Sequence, residues 1–203
     1  MTNNMKIDSS LPLEYSTEEN RLKIFGFWIF LGAEIVLFAT LFTVYFTLHN
    51  RTGSGPTGAE IFELTPVLLE TFLLLASSFT IGLGVHAMRL GNKKAMMTFF
   101  IITLVLGLGF LGIEIDEFVT YVHEGATITT SAFLSSLMTL LGTHGAHVTF
   151  GFFWGVAILI QVAKRGLNPQ TANKAFIFSL YWHFLDVVWI FIFSFVYLKG
   201  LIS

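Results

Sequence analysis

Five apolar runs constrain this 203-residue chain more than any other feature. They cover roughly residues 24–48, 66–88, 95–115, 133–163 and 175–198, and each reaches the ~20 residues that a helix needs to cross a bilayer. Lipid offers backbone N–H and C=O groups no other partner, so each run must be helical. The predicted fold class is therefore all-α, an integral membrane bundle of five transmembrane helices. Only 12% of residues are charged, about half the share of an ordinary soluble domain. The first run is too long for the core of a cleaved signal peptide and no small-residue cleavage site follows it, so it reads as a retained span. The fourth run is longer than a span requires, which predicts tilt or extension beyond the bilayer.

The breaks are polar. "HNRTGSGPTGAE" after the first run is a glycine-rich turn region, and "RLGNKK" after the second is a tight basic loop. "DEFVTYVHEGATITTS" after the third is acidic, and "KRGLNPQTANK" after the fourth is basic and holds Pro169. Residues 1–22 read as a polar tail, and 23–203 as one five-helix transmembrane domain. Charge then orients the bundle. Lys6, Arg21, Lys23, Arg89, Lys93, Lys94, Lys164, Arg165 and Lys174 fall on one side, and only Arg51 and Lys199 on the other. The positive-inside rule puts the N-terminus in the cytoplasm and the C-terminus outside. A net charge of −2 gives no reason to expect a nucleic-acid partner, and the absence of cysteine removes disulfides, thiolate metal sites and Cys nucleophiles.

Ionisable residues within a span are functional candidates by default. Glu114 and His86 lie near span ends, where interfacial roles are expected. Glu70 lies about one turn inside the second span. Glu34 is about ten residues into the first, or roughly 15 Å, which is close to the midplane; Asp186 is similarly deep. Glu34 reads either as a proton-linked or lipid-linked carboxyl, or as a protonated side chain bonded to a neighbouring helix or subunit. In "GTHGAHVTFG", His144 and His147 are three apart and share one helical face, with Gly142 and Gly145 keeping that face narrow. Gly151 and Gly155 add a G-x-x-x-G spacing that permits close helix approach. In "WHFLDVVW", His183 and Asp186 are again three apart, flanked by Trp182 and Trp189. Asp186 is expected to hold a histidine of the fourth span by a charge-assisted hydrogen bond, making His144, His147, His183 and Asp186 an internal polar clasp. A haem needs opposed axial ligands, and His147 with His183 are the formal candidates. Their predicted depths differ and Asp186 offers a simpler partner, so no metal or cofactor is expected in this chain. No P-loop, Rossmann or hydrolase motif is present.

"GTHGAHVTFG", followed after the basic loop by "SLYWHFLDVVWIFIFSFVY", resembles subunit III of the haem-copper respiratory oxidases. "GFWIFLGAEIVLFATLF" resembles that family's segment with a membrane carboxyl, placing Glu34 at the carboxyl position. "ELTPVLLETFLLLASSFTIGLGVHA" resembles its next helix, with Glu70 where many members carry an uncharged polar residue, and "GFLGIEIDEF" the helix after that. The resemblance runs from about Lys23 to Gly200. It implies the short bacterial form with five helices rather than seven, closest to quinol oxidases, with cytochrome c oxidases as the alternative. It also implies a subunit without redox groups. Haems and copper belong to subunit I, beside which this chain binds phospholipid and sustains proton uptake; subunit II and a small subunit IV are further expected partners. Glu34 and Glu70 are then contacts to lipid or subunit I. The rival of another class is a proton-coupled secondary transporter, which broken helices or repeat symmetry would favour; the sequence shows neither.

Overall fold

The computed structural model describes residue 8, residues 10–53 and residues 55–202. Five long helices dominate. They are α1 (Glu18–Leu48), α3 (Leu64–Arg89), α4 (Lys93–His123), α5 (Ala132–Arg165) and α6 (Pro169–Ile192). A one-turn helix, α2 (Gly58–Ile61), precedes α3, and α6 runs through a widened turn (Phe193–Leu198) into α7 (Lys199–Ile202). All five spans are long and apolar enough to cross a membrane.

The helices outrun the hydropathy signal at their ends. The helix α4 continues to His123, through residues 116–123 that the sequence reads as an acidic loop. No glycine or proline interrupts that stretch before Gly125, whose positive φ of 79° ends it. Its buried Tyr121 shows that this turn still faces the bundle. At the other end, the predicted loop 164–174 shrinks to three residues. Gly166 (φ 73°) stops α5, and Asn168 caps α6 ahead of Pro169 by accepting from the N–H of Gln170 and Thr171. Thr17 caps α1 in the same way, accepting from the N–H of Asn20.

The α3–α4 hairpin, α5 and α6 form the packed body, and α1 lies against α5 and α6. The buried apolar residues of α1 are Ile24, Leu31, Phe38 and Tyr45, a seam one residue wide at a strict seven-residue spacing. Such a seam keeps one face on its neighbour while the rest of the helix meets lipid. By contrast α6 is the axis of the bundle, with Phe178, Tyr181, Trp182, Leu185, Trp189 and Ile192 all buried.

Trp182 is where four helices meet. Its indole Nε1 donates to Ser77 Oγ of α3 at 2.9 Å. A Cβ on Gly107 of α4 would come within 2.7 Å of its ring, and one on Gly151 of α5 within 3.2 Å. The absent side chains are thus what admit the indole. Gly155 makes room in the same way a turn further along α5, where a Cβ would meet Leu104 and Phe178 at 2.7 and 2.8 Å. The G-x-x-x-G spacing therefore does mark a close approach.

The end bearing the basic loops is tied by the segment before α1. Asn173 of α6, buried, donates from Nδ2 to the carbonyls of Glu14 and Asn20, each at 3.1 Å. Asn20 donates to the Pro169 carbonyl at 2.9 Å. Arg89 donates from Nε to the buried Glu14 carboxylate at 2.8 Å, and its guanidinium lies over the Phe176 ring. Residues 12–17 of the predicted polar tail are therefore packed structure; residues 1–7 and 9 lie outside the described residues.

Two outcomes are expected. Gly107→Val, which drives a branched side chain into the Trp182 ring, lowers stability by about 1–3 kcal/mol through overpacking. Its control is Gly82→Ala, with nothing within 4 Å of the would-be Cβ, which leaves thermal unfolding of the detergent-solubilised protein unchanged. Asn173→Ala removes both bonds by which α6 holds the Glu14 and Asn20 carbonyls, at a cost of about 1–3 kcal/mol. It is read as faster limited proteolysis near residue 15 than in wild type, with cleavage elsewhere unaltered.

Candidate functional site

The polar residues singled out within the spans divide into pairs that cross helices and groups that remain unpaired. His147 belongs to a pair. Its Nε2 lies 3.1 Å from Glu34 Oε2 of α1, with both side chains mostly buried. Its Nδ1 lies 2.6 Å from the Thr143 carbonyl. A carbonyl only accepts, so Nδ1 carries a hydrogen. Nε2 and the carboxyl oxygen then share a single proton, since a bare imidazole nitrogen facing a bare carboxylate would be two acceptors in contact. The pair is a salt bridge if the proton rests on nitrogen and a neutral hydrogen bond if it rests on oxygen. In both cases its net charge is zero, which suits mid-membrane depth.

Beside this pair opens a cleft of about 790 Å³, lined by Phe27, Phe30, Phe150, Phe153, Trp154 and Tyr181 together with His147 and Ala146. Its walls are apolar and aromatic, and His147 is the member that is charged or neutral according to the shared proton. Tyr181 turns its hydroxyl away, donating to the His147 carbonyl at 3.0 Å.

The sequence expectation joined Asp186 to a histidine of α5. The geometry distributes those bonds otherwise. His147 reaches back to α1, and His183 of α6 shares a 2.6 Å hydrogen bond with Ser78 of α3. Trp189 donates to Thr71 of α3 at 3.0 Å, as Trp182 does to Ser77. So α6 is bonded along α3, by hydroxyls that hydropathy reading passes over as neutral. The signal was present, because Thr71, Ser77 and Ser78 are spaced to fall on one broad helical face. Thr80 and Thr103 extend the same chemistry between α3 and α4 at 2.8 Å. Asp186 is buried with Oδ1 unpaired.

His144 is fully buried and neither ring nitrogen has a partner. Its imidazole stacks on Trp189, with centroids 5.4 Å apart and planes 30° apart, and meets the edge of Phe110. The two histidines of one face thus have unrelated surroundings, one hydrogen-bonded at both nitrogens and one enclosed by aromatic rings. Glu70 is wholly buried with both oxygens unpaired. Glu114, expected at an interface, is also buried, because it is more than two turns from the true end of α4 and lies against Gly145, where a Cβ would be 2.7 Å from its carboxyl. His86 is exposed near the end of α3, as expected. Among the described residues no three His, Asp or Glu side chains converge as a metal ion would require.

Set beside known proteins, the chain has clear relatives. The family described as cytochrome c oxidase subunit III matches residues 15–201. Quinol oxidase subunit 3 of Bacillus subtilis (strain 168) is 62% identical over 194 residues, covering 96% of this chain and 95% of the relative. Probable quinol oxidase subunit 3 of Staphylococcus saprophyticus is 51% identical over 191 residues, 94% of this chain and 95% of that one. Cytochrome c oxidase subunit 3 of Bacillus sp. (strain PS3) is 50% identical over 192 residues, 95% of this chain and 93% of that one. The family match spans all five long helices, and on that ground and the 62% identity the chain belongs to the cytochrome c oxidase subunit III family.

Proposed function

We propose that this chain is the accessory subunit III of a multi-pass membrane terminal oxidase that reduces oxygen to water with electrons from quinol. The observation that carries the reading is the 62% identity, across nearly the whole chain, to a quinol oxidase subunit 3. Within Bacillus, the cytochrome c oxidase subunit 3 is less similar, at 50%, than the quinol oxidase subunit 3, at 62%. Haems and copper belong in this reading to a subunit I partner, with subunit II and a small subunit IV completing the complex in the bacterial cytoplasmic membrane. The N-terminus and the strapped basic end face the cytoplasm by the positive-inside rule.

The geometry supports a supporting rather than a redox role. His147 is bonded at both nitrogens and His183 at Nδ1. His144 is walled in by Phe38, Phe110 and Trp189. The cleft beside Glu34 and His147 is apolar and aromatic, with a volume of about 790 Å³, which fits a phospholipid acyl chain. In this reading the shared proton of Glu34 and His147 keeps that wall electrically neutral during turnover, while His183, Trp182 and Trp189 hold the helices that shape it.

Two outcomes test the reading. In membranes whose sole terminal oxidase contains this chain, oxygen uptake runs on an added quinol and not on reduced cytochrome c. Uptake on cytochrome c alone overturns the choice of donor. Glu34→Ala strands Nε2 of His147 at a cost of about 1–3 kcal/mol. The complex still assembles and its initial rate is kept, but oxygen uptake declines over prolonged turnover faster than in wild type. An unchanged time course removes Glu34 from any role in sustaining turnover.

A further inference from the structure

Buried polar groups without partners gather in one half of this bundle. Apart from Glu14 and Asp186, the unpaired buried atoms among the described residues belong to Glu70, Glu114, Glu117, Tyr121 and His144. All five lie toward the end opposite the strap formed by residues 12–17. Glu70 is six residues into α3, about 9 Å along its axis. Glu114, Glu117 and Tyr121 follow one face of α4 at spacings of three and four. Tyr197, in the widened turn after α6, donates to Glu117 Oε2 at 2.7 Å. Among the described residues, no Lys or Arg forms an ion pair with any of these carboxyls.

Three carboxylates cannot remain ionised together in so apolar a place, since each unpaired buried charge costs several kcal/mol. Protonation removes the charge but leaves each acid with an O–H that still needs an acceptor. Tyr121, nearly inaccessible at 2% exposure, adds a hydroxyl with the same need. Buried groups of this kind are normally completed by internal water. Access exists. A cleft of about 390 Å³ is lined by Glu117 and Tyr121 at its inner side and by Glu63, Asp116 and Glu124 toward the surface, with Glu60 of α2 beside them. At roughly 30 Å³ per molecule, it accommodates several waters. Glu114 lines a separate cleft of about 550 Å³ with Leu111, Phe118 and Gly145.

We propose that Glu70, Glu114 and Glu117, with Tyr121 and Tyr197, form a hydrated site that holds protons inside this chain, and that Glu117 and Tyr121 exchange them with the aqueous surface through the acidic cleft they line. The ligand is the proton together with its water. The titratable groups around the site are Glu60 of α2, Glu63 and Glu70 at and within α3, Asp116 of α4 with Glu124 just past its end, His123 in the cleft that Glu114 lines, and Tyr197 after α6. All are acids, phenols or imidazole, so protons are the only positive charge the site itself supplies. The proposal does not depend on the identity of the electron donor.

The test is infrared difference spectroscopy of the purified complex containing this chain, in H₂O and D₂O at neutral pH. The expected result is a protonated-carboxyl C=O band that shifts on deuteration. That band loses intensity in Glu70→Gln and, independently, in Glu114→Gln. Either variant suffices if the other fails to assemble. Absence of any such band from the wild-type minus variant spectra shows ionised carboxylates and overturns the proposal. A band that does not shift in D₂O shows a dry site cut off from the surface, and also overturns it. So does loss of the band on adding Na⁺ or Ca²⁺ at constant pH, which would assign the site to a metal cation.

Discussion

The bundle depends on the burial of one indole. Helices in lipid gain little from hiding apolar surface from one another, so association rests on close packing and on polar bonds between helices. Trp182 supplies both. Its ring occupies space left by Gly107 and Gly151, and its N–H finds Ser77. One residue therefore fixes the spacing of α4, α5 and α6 and the rotation of α6 against α3. Trp189 repeats the bond two turns on with Thr71, and His183 adds Ser78 between them. Three directional bonds along one helix pair set its register in a way that interchangeable Leu and Phe contacts do not.

The same constraint explains why α1 differs from the rest. Its large apolar side chains Phe25, Ile29, Val36 and Phe46 are exposed. In a membrane this is the ordinary state of a lipid-facing surface and says nothing by itself about a partner. The hydroxyls of Thr40, Thr43 and Thr47 are exposed as well, yet each bonds to the carbonyl four residues earlier and asks nothing of a neighbour. What attaches α1 is the narrow seam from Ile24 to Tyr45, the bond between Glu34 and His147 near its middle, and the strap at its start.

Much of this was legible in the sequence, and for a physical reason. Twenty apolar residues in lipid have only one conformation, so the five spans follow from hydropathy alone. The ends were less legible. Residues 116–123 carry enough charge to read as a loop, yet Glu117 and Tyr121 turn inward and the helix continues to His123. Partner choice was the least legible. Asp186 and the histidines of α5 have complementary chemistry, but which helices adjoin is decided by where glycines permit approach and where hydroxyls meet indoles. The seven-residue seam of Ile24, Leu31, Phe38 and Tyr45 was readable and identifies the buried face of α1, to which Glu34 is adjacent. That face, set on α5, is what brings Glu34 to His147.

The contrast between the two halves of the bundle then follows from proton counting. On the α1 side, His147 has its Nδ1 hydrogen committed to the Thr143 carbonyl, so one proton shared with Glu34 closes every bond and leaves no net charge. Nothing further is required there, and the adjoining cleft is accordingly apolar. Between α3 and α4, Glu117 has one phenol bonded to it and Glu70 has no partner for either oxygen, while His144 is held away against Trp189. An acid paired with a base can share one proton and be complete. Acids grouped with phenols must each take a proton and still find an acceptor for it, and the cleft that opens beside Glu117 carries further carboxyls, Glu63, Asp116 and Glu124, and reaches the surface. An acid bonded to a base is thus complete beside an apolar wall, whereas the acids between α3 and α4 still have groups to satisfy.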